Sequence, residues 1–274
     1  MKIKKNFKFD NKRQIWRILP TDTNKLVIEE RDTEKQQAYI NFIELSSGKI
    51  LLKDFQLDEK FWVGIEAIKN DVIYFHRFIK PDLPLHIGII AFDLNNKKTL
   101  WETDQYTFHL ISENKIFCYQ QKFDGRDYFS IDASTGNLVE ELGENPGDLQ
   151  KLKDESSASE FVNYKFPDYI MQNDSADERL NNILAMLKNN FIISGRIGFI
   201  FFKDLLLLNF HTIAENNLLN NYFFAVDLNT GKYILEEKLD SGNPNYKPES
   251  FFIKDDYLFL LFGKTRLVVY SIID

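Results

Sequence analysis

The chain has 274 residues, a formal net charge of −7, 44% hydrophobic residues and 25 Phe. This composition excludes a largely disordered chain, because so much apolar surface requires a packed core. The negative charge makes nucleic acid and anionic membranes poor partners, and the single cysteine excludes an intramolecular disulfide.

The N-terminal segment, residues 1–10, is basic but has no apolar run behind it, so it does not predict a signal peptide. The strongest apolar runs, 199–202 and 205–208, are separated by Lys203 and Asp204. Neither run approaches the ~20 residues that a membrane helix needs. We therefore expect a cytoplasmic protein that binds neither a membrane nor nucleic acid.

A pair of strands with a short polar break between them recurs along the chain. Its copies are residues 16–28, 65–75, 108–118, 200–207 and 252–260. A break such as Lys203-Asp204 between runs of β-branched and aromatic residues is typical of a β-hairpin. The repeated pattern therefore predicts five hairpins.

A second pattern follows four of these hairpins: a strand that ends in an acidic residue, a polar turn and another strand. Its copies are residues 42–50, 91–101, 131–138 and 225–235. Gly suits such a turn because it adopts φ > 0 without a steric cost. We expect Asp132 and Asp227 to cap the amides of their own turns, not to join a ring of carboxylates.

Together the two patterns define units of four strands at intervals of about 40–50 residues, as in propeller blades. The units are residues 14–55, 61–103, 106–142 and 195–239. A fifth unit begins near Glu249 and has three strands, and residues 2–9 are predicted to supply the fourth. We predict an all-β, five-bladed β-propeller over residues 1–274, closed by the two ends of the chain in one blade.

Residues 143–190 break the repeat. The segment is polar as far as Glu160, has a strand interrupted by Pro167, and ends in an amphipathic helix capped by Asp174 or Ser175. One face of that helix carries Leu180, Ile183, Leu184 and Leu187. The segment is either an insertion or a degenerate sixth blade, and we favour the insertion because the hairpin pattern is not found in it.

These repeats resemble those of the quinoprotein-type (PQQ-like) β-propeller family, in which a strand ending in Asp leads to a Thr-Gly turn and a strand that begins with Lys and carries Trp. The matching residues are Asp132, Thr135, Gly136, Asp227, Thr230, Gly231 and Lys232, with Gly48-Lys49 and Trp101 in part. The chain looks like a small, cytoplasmic, bacterial member of that family. The resemblance implies a propeller but no particular activity, and no cofactor-binding residue of the family's enzymes is transferred.

Four residues are candidates for ligand binding. His109 and Glu66 lie in predicted first strands, the strands nearest the central channel of a propeller. His86 ends a predicted rim loop at residues 80–86, and Arg196 lies between two glycines. A lone strand histidine is more commonly a core or rim residue, and His76 and His211, late in their second strands, fit that description. No two histidines have the spacing of a helical zinc pair, so we expect no metal site and no cofactor.

We predict a non-enzymatic binding or scaffold propeller. Its ligand is a protein or small molecule, bound through the rim loops and the 143–190 segment. The alternative is a carbohydrate-active hydrolase or lyase with its site at the channel mouth. Cys118 lies in an apolar strand and is expected to be a buried structural thiol.

Overall fold

The computed structural model describes residues 1–80, 83–171 and 177–273, and in these residues the fold is all-β with short helices. The strands are β1 (Lys2–Asp10), β2 (Gln14–Pro20), β3 (Lys25–Asp32), β4 (Gln37–Glu44), β5 (Ile50–Phe55), β6 (Val63–Lys69), β7 (Val72–Lys80), β8 (Leu83–Asp93), β9 (Lys98–Thr103), β10 (Thr107–Ser112), β11 (Lys115–Gln121), β12 (Arg126–Asp132), β13 (Leu138–Gly143), β14 (Tyr164–Lys165), β15 (Asp168–Ile170), β16 (Ile193–Phe202), β17 (Leu205–Ile213), β18 (Leu219–Asp227), β19 (Tyr233–Asn243), β20 (Phe251–Lys254), β21 (Tyr257–Phe262) and β22 (Arg266–Ile273). The α-helices are α1 (Leu149–Glu160) and α2 (Glu178–Asn190), and a 3₁₀ turn spans Glu215–Asn217. None of the helices in this described part is long and apolar enough to cross a bilayer.

The chain divides into two compact units. Unit I is Gln14–Val162, and unit II is Met1–Arg13 together with Asn163–Asp274. Unit I has three consecutive four-strand modules, β2–β5, β6–β9 and β10–β13, and within each module neighbouring strands are antiparallel. The second and third modules are joined by a parallel bridge between Gly88 and Thr107.

The core of unit I is formed by the alternating apolar side chains of these modules. Phe42, Phe75 and Phe92 belong to one buried cluster of the first two modules. Cys118 and Ile116 belong to a second cluster, of the second and third modules. The expectation that Cys118 is a buried thiol is confirmed, because its side chain is inaccessible.

The acidic turns form as predicted. Oδ1 of Asp132 accepts hydrogen bonds from the backbone N–H groups of Ser134 and Thr135, both at 2.9 Å. Gly136 adopts a φ of 72° and closes the turn by donating its N–H to the carbonyl of Asp132. Asp227 caps its own turn in the same way. Each carboxylate therefore serves its own turn, because an acidic side chain at the strand end reaches the next two free amides.

Unit II has two sheets. In one the strand order is β1-β22-β21-β20-β14, and in the other it is β15-β16-β17-β18-β19. Strand β17 is buried along almost its whole length. Leu205 and Leu207 on one face pack with Leu258 and Leu260 of β21, and the residues between them face the opposite side.

The pairing of the first and last strands is confirmed. Strand β1 runs antiparallel to β22, from Lys2 opposite Ile273 to Asp10 opposite Arg266, with a bulge between Lys5 and Phe7. In this five-stranded sheet β1 pairs with β22 at one edge and β14 pairs with β20 at the other. One edge strand therefore comes from the opposite end of the sequence.

Two short strands of the 143–190 segment pair with strands of the sheets of unit II. The segment's predicted strand is interrupted at Pro167 as expected, but the halves join different sheets: β14 pairs with β20, and β15 pairs with β16. The buried face of α2 consists of the four predicted residues, which pack under β17 with Leu206, Leu208 and Phe210.

Two local predictions need correction. The N-cap of α2 is Asp177, whose side chain accepts a hydrogen bond from the N–H of Arg179, whereas we expected the cap at Asp174 or Ser175. The predicted caps Asp174 and Ser175 lie outside the described residues. The predicted loop at 80–86 is largely strand, because β7 continues to Lys80 and β8 begins at Leu83.

Candidate functional site

The second module of unit I brings one carboxylate and two imidazoles together. Glu66 lies on β6, His76 on β7 and His86 on β8, three neighbouring strands of one antiparallel sheet. Their ligand-type atoms all lie within 4.8 Å of one another. We call these three residues the His-Glu-His cluster.

Irregular strand pairing creates this convergence. Gly64 opposes His76 and Ile65 opposes Phe75, but the register shifts before Ala67, so Glu66 is the extra residue of a bulge. A bulge turns the side chain of its extra residue out of the regular alternation. On the other side of β7, His86 opposes Phe78, which places it diagonally across from His76.

One carboxylate oxygen is shared by both imidazoles. Oε1 of Glu66 lies 2.7 Å from Nδ1 of His86 and 2.8 Å from Nδ1 of His76. The two imidazole rings stack with their centroids 3.5 Å apart and their planes within 9°. The three groups therefore present one oxygen and two nitrogens to a single small volume.

The three side chains differ in exposure. His76 is 2% exposed, Glu66 is 15% exposed and His86 is 37% exposed. The cluster is thus buried at its base and open at His86.

The electrostatics of the cluster favour a charged Glu66 carboxylate beside a neutral His76 imidazole. Burial alone raises the pKa of Glu66, but the close contacts and charges of His76 and His86 outweigh it and the net direction is downward. Burial lowers the pKa of His76, with Glu66 opposing and His86 and Arg17 adding to the decrease. A neutral imidazole next to a carboxylate is the protonation state in which both can bind a metal or polar ligand.

His76 is poorly satisfied as a buried polar group. Its Nδ1 is close to Glu66, yet neither ring nitrogen of His76 has a hydrogen bond. A buried polar group in this state costs about 1–3 kcal/mol. In native proteins such a group calls for an explanation, and a bound ion or ligand is one of them.

The walls of the cluster are fitted to the imidazoles. A Cβ on Gly64 would lie 2.6 Å from Cε1 of His76, so only glycine leaves room for the ring. Phe78 presents its edge or face nearly perpendicular to both rings, with centroids 4.9 Å from His76 and 5.2 Å from His86. Thr107 of β10 donates its hydroxyl to the carbonyl of His86 at 3.1 Å and holds β8 in place.

The first module reaches the cluster through Arg17. Its Nη1 donates to the carbonyl of Ile65, next to Glu66, at 2.5 Å. Its Nε lies 3.6 Å from Oε2 of Glu29, a carboxylate that is 1% exposed. Arg31 pairs with the same carboxylate and donates to the carbonyls of Phe61 and Val63. The two arginines anchor the edge strand β6.

Two of the four predicted ligand residues come together in the structure, and the other two lie elsewhere. Glu66 and His86 come together, with His86 on a strand and not in the predicted loop. His109 lies on β10 beside the rings of Tyr119 and Tyr128, and within the described residues no polar contact joins it to Glu66. Arg196 is exposed in unit II, within an irregular stretch of β16 between Ser194 and Gly198.

His76 is the residue that sequence reasoning assigned to a structural role. A usable signal was present, because a hairpin that turns at Asn70-Asp71 places residue 76 across from residues 64–66. Our expectation of no metal site relied on spacing along the chain, whereas these ligand groups come from three adjacent strands.

Unit II has a different polar cluster, and its groups are largely satisfied. The N–H of Lys247 donates to Nε2 of His211 at 3.0 Å. The side-chain amide of Asn221 donates to Oγ of Ser250 at 2.7 Å, and Asn209 in turn donates to Asn221 and to the carbonyl of Tyr222. This network fixes the segment before β20 and does not present convergent free groups.

Comparison with known proteins adds one family match. A model of a domain of unknown function, DUF4905, matches residues 19–101, which include the whole His-Glu-His cluster. No curated protein matches the chain.

Two solved structures illustrate what the fold is similar to. A structure titled "AfRom2 CNH domain" has a TM-score of 0.34 and 8% identity, covering 99% of each chain. The β-propeller domain of the Trilobed protease from Pyrococcus furiosus has a TM-score of 0.34 and 12% identity, covering 96% of this chain and 69% of the other. TM-scores at this level carry no information about function.

Proposed function

We propose that the chain is a ligand-binding β-propeller of five four-strand blades, of the quinoprotein-type repeat, that acts as a binding module and not as an enzyme. The described strands form three four-strand modules in unit I and two five-stranded sheets in unit II, which supports a count of five blades. The pairing of β1 with β22 supports closure, since a shared sheet is how propeller ends are fastened. On this proposal all five blades form one domain.

The His-Glu-His cluster is the proposed ligand site. The observation that carries this proposal is the state of His76. Its imidazole is buried, its two nitrogens lack hydrogen bonds, and it lies next to the partly exposed His86. A ligand that enters past His86 satisfies the buried groups and recovers the cost of burying them.

A binding role fits this site better than glycoside cleavage. The usual hydrolytic mechanism needs two carboxyl groups that flank the scissile bond. The cluster provides one, Glu66, while the neighbouring Glu29 is buried and engaged by two arginines. No observation in the described residues favours the carbohydrate-active alternative.

Protein partners are proposed to bind the exposed face of α1 and the rim turns. The remainder of the 143–190 segment is unsuited to a deletion test, because β14, β15 and α2 belong to the sheets and core of unit II. A suitable pair of charge reversals is Lys151→Glu and Glu155→Lys, since both side chains are exposed on α1. Unchanged co-purifying proteins would exclude this face.

Native mass spectrometry tests the ligand site without knowledge of the ligand. Protein without an affinity tag is purified in the absence of chelators, and its native mass is compared with its denatured mass. We expect a non-covalent mass excess in the wild-type chain and in His109→Ala, and its loss in His86→Ala. A folded wild-type chain with no mass excess, or an excess that His86→Ala retains, contradicts the proposal.

A further inference from the structure

We propose that the His-Glu-His cluster binds one divalent first-row transition metal ion, such as Zn²⁺, through Nδ1 of His76, Nδ1 of His86 and the carboxylate of Glu66. This inference rests on the proposed function and names the ligand of that site. It also replaces the expectation, drawn from sequence spacing, that the chain has no metal site.

The first argument is the separation of the donor atoms. Zn²⁺ binds His nitrogen and carboxylate oxygen at about 2.0–2.2 Å, so two ligand atoms of a tetrahedral site lie about 3.3 Å apart. Oε1 of Glu66 lies 2.7 Å and 2.8 Å from the two Nδ1 atoms. Separating these atoms by about half an ångström, and turning the stacked rings out of their parallel planes so that both Nδ1 lone pairs point at one ion, gives this geometry.

The second argument is the chemistry of the donors. Two imidazoles and one carboxylate suit Zn²⁺, Fe²⁺, Co²⁺ or Ni²⁺, whereas Ca²⁺ and Mg²⁺ prefer sites built from oxygen ligands alone. Three protein ligands leave at least one coordination position for water or another group. The exposed side of His86 is where that position opens to solvent.

The third argument is that the ligands are held before any ion binds. Gly64 makes room for the ring of His76, and Phe78 contacts both imidazoles from one side. Arg17 holds the backbone next to Glu66, and Thr107 holds the backbone of His86. Supporting contacts of this kind orient metal ligands and reduce the entropy lost on binding.

A shared proton is the competing explanation for the short contacts. It accounts for the contact between Glu66 and His86, which is a hydrogen bond. It does not account for His76, because neither nitrogen of that ring forms a hydrogen bond even though Nδ1 is 2.8 Å from Oε1. A metal ion on the in-plane axis of Nδ1 would satisfy this nitrogen, whereas the carboxylate oxygen lies off that axis.

Co²⁺ titration of the tag-free protein tests the proposal. The ligand-field absorption of bound Co²⁺ reports on the donor set, and displacement by Zn²⁺ gives the relative affinity. We expect one equivalent of Co²⁺ per chain and a spectrum of mixed nitrogen and oxygen ligation. In His86→Ala and Glu66→Gln we expect affinity to fall by ~100-fold or more, since even the loss of a hydrogen bond that orients a metal ligand costs 10- to 100-fold. His109→Ala is the matched control, because it removes a histidine outside the cluster, and it should bind as the wild type does.

The outcomes separate this inference from the proposed function. A wild-type chain that binds neither Co²⁺ nor Zn²⁺ overturns the metal assignment, whether or not the variants fold. If the native mass excess nevertheless persists and depends on His86, the binding role stands with a different ligand. Binding that His86→Ala and Glu66→Gln leave intact overturns the assignment to this cluster.

Discussion

Gly64 lies directly opposite His76 in the ladder between β6 and β7, and a Cβ at Gly64 would come within 2.6 Å of the imidazole. This pair determines the shape of the His-Glu-His cluster, because the missing side chain of one residue is the space occupied by the other. The backbone of Gly64 has no positive φ to explain the glycine. Space for the histidine is therefore the physical reason for glycine at this position.

Gly64→Ala is expected to displace the ring of His76 and to lower the free energy of unfolding by about 1–3 kcal/mol, the usual cost of overpacking a core. Denaturant unfolding measures the loss. Gly125→Ala is the control, because no atom lies within 4 Å of a Cβ at that position and its φ is not positive. Equal stability of Gly64→Ala and the wild type would show that the ring is not confined as described.

Leu187→Ala is expected to destabilise the protein by about 2–5 kcal/mol, because it opens a cavity in a tightly packed cluster. Leu187 is fully buried on α2, whereas its neighbour Met186 is 42% exposed. Met186→Ala should therefore change the free energy of unfolding by no more than about 0.5–1 kcal/mol. Similar small effects for both substitutions in denaturant unfolding would mean that the packing of α2 against β17 contributes little to stability.

The stability of the protein is expected to fall with decreasing pH through His211. Burial lowers the pKa of His211, with Asp240 opposing the decrease and Lys247 adding to it. Because the folded pKa lies below the unfolded value of about 6.5, the contribution is full above that value and is lost as the pH falls through the folded pKa. Protonation also removes the acceptor of the Lys247 N–H.

Unfolding free energies measured between about pH 5 and 8 check this dependence. The variant His211→Gln lacks the titrating group and should lose part of the slope, while the carboxylates remote from His211 titrate equally in both proteins. Parallel pH profiles for the wild type and the variant would contradict the role of His211.

Cys118 is expected to be unreactive in the native protein. Burial raises the pKa of its thiol to about 12, and its side chain is inaccessible. At pH 8 a thiol reagent such as DTNB should label almost no cysteine until a denaturant is added, and then one thiol per chain. Rapid labelling of the folded protein would show that β11 opens readily.

Much of the fold was predictable because it depends on local chemistry. Strand alternation, polar hairpin breaks and the acidic turns at Asp132 and Asp227 are each encoded within about ten residues. The buried face of α2 follows in the same way from the spacing of its four apolar residues. The pairing of residues 2–9 with the last strand was also predicted, because a three-stranded final unit has an open edge.

The site required the tertiary structure. The sequence identified Glu66 and His86 as candidates, but it assigned His86 to a loop and His76 to a structural role. Their convergence depends on a bulge at Glu66 and on the diagonal register between β7 and β8. A one-residue change in register moves a side chain to the opposite face of a sheet, and local patterns do not specify where a bulge forms.

The amino-acid sequence by itself thus determined the strands, the turns and the repeated four-strand modules, since these follow from side-chain periodicity and backbone preference over short distances. Only the tertiary structure decided which strands and side chains meet. The segment around Pro167 pairs with strands of two different sheets, and two imidazoles contact one carboxylate oxygen. Those features depend on contacts between residues far apart along the chain or on bulged registers, where the packing of the whole unit selects one arrangement among many that the local sequence permits.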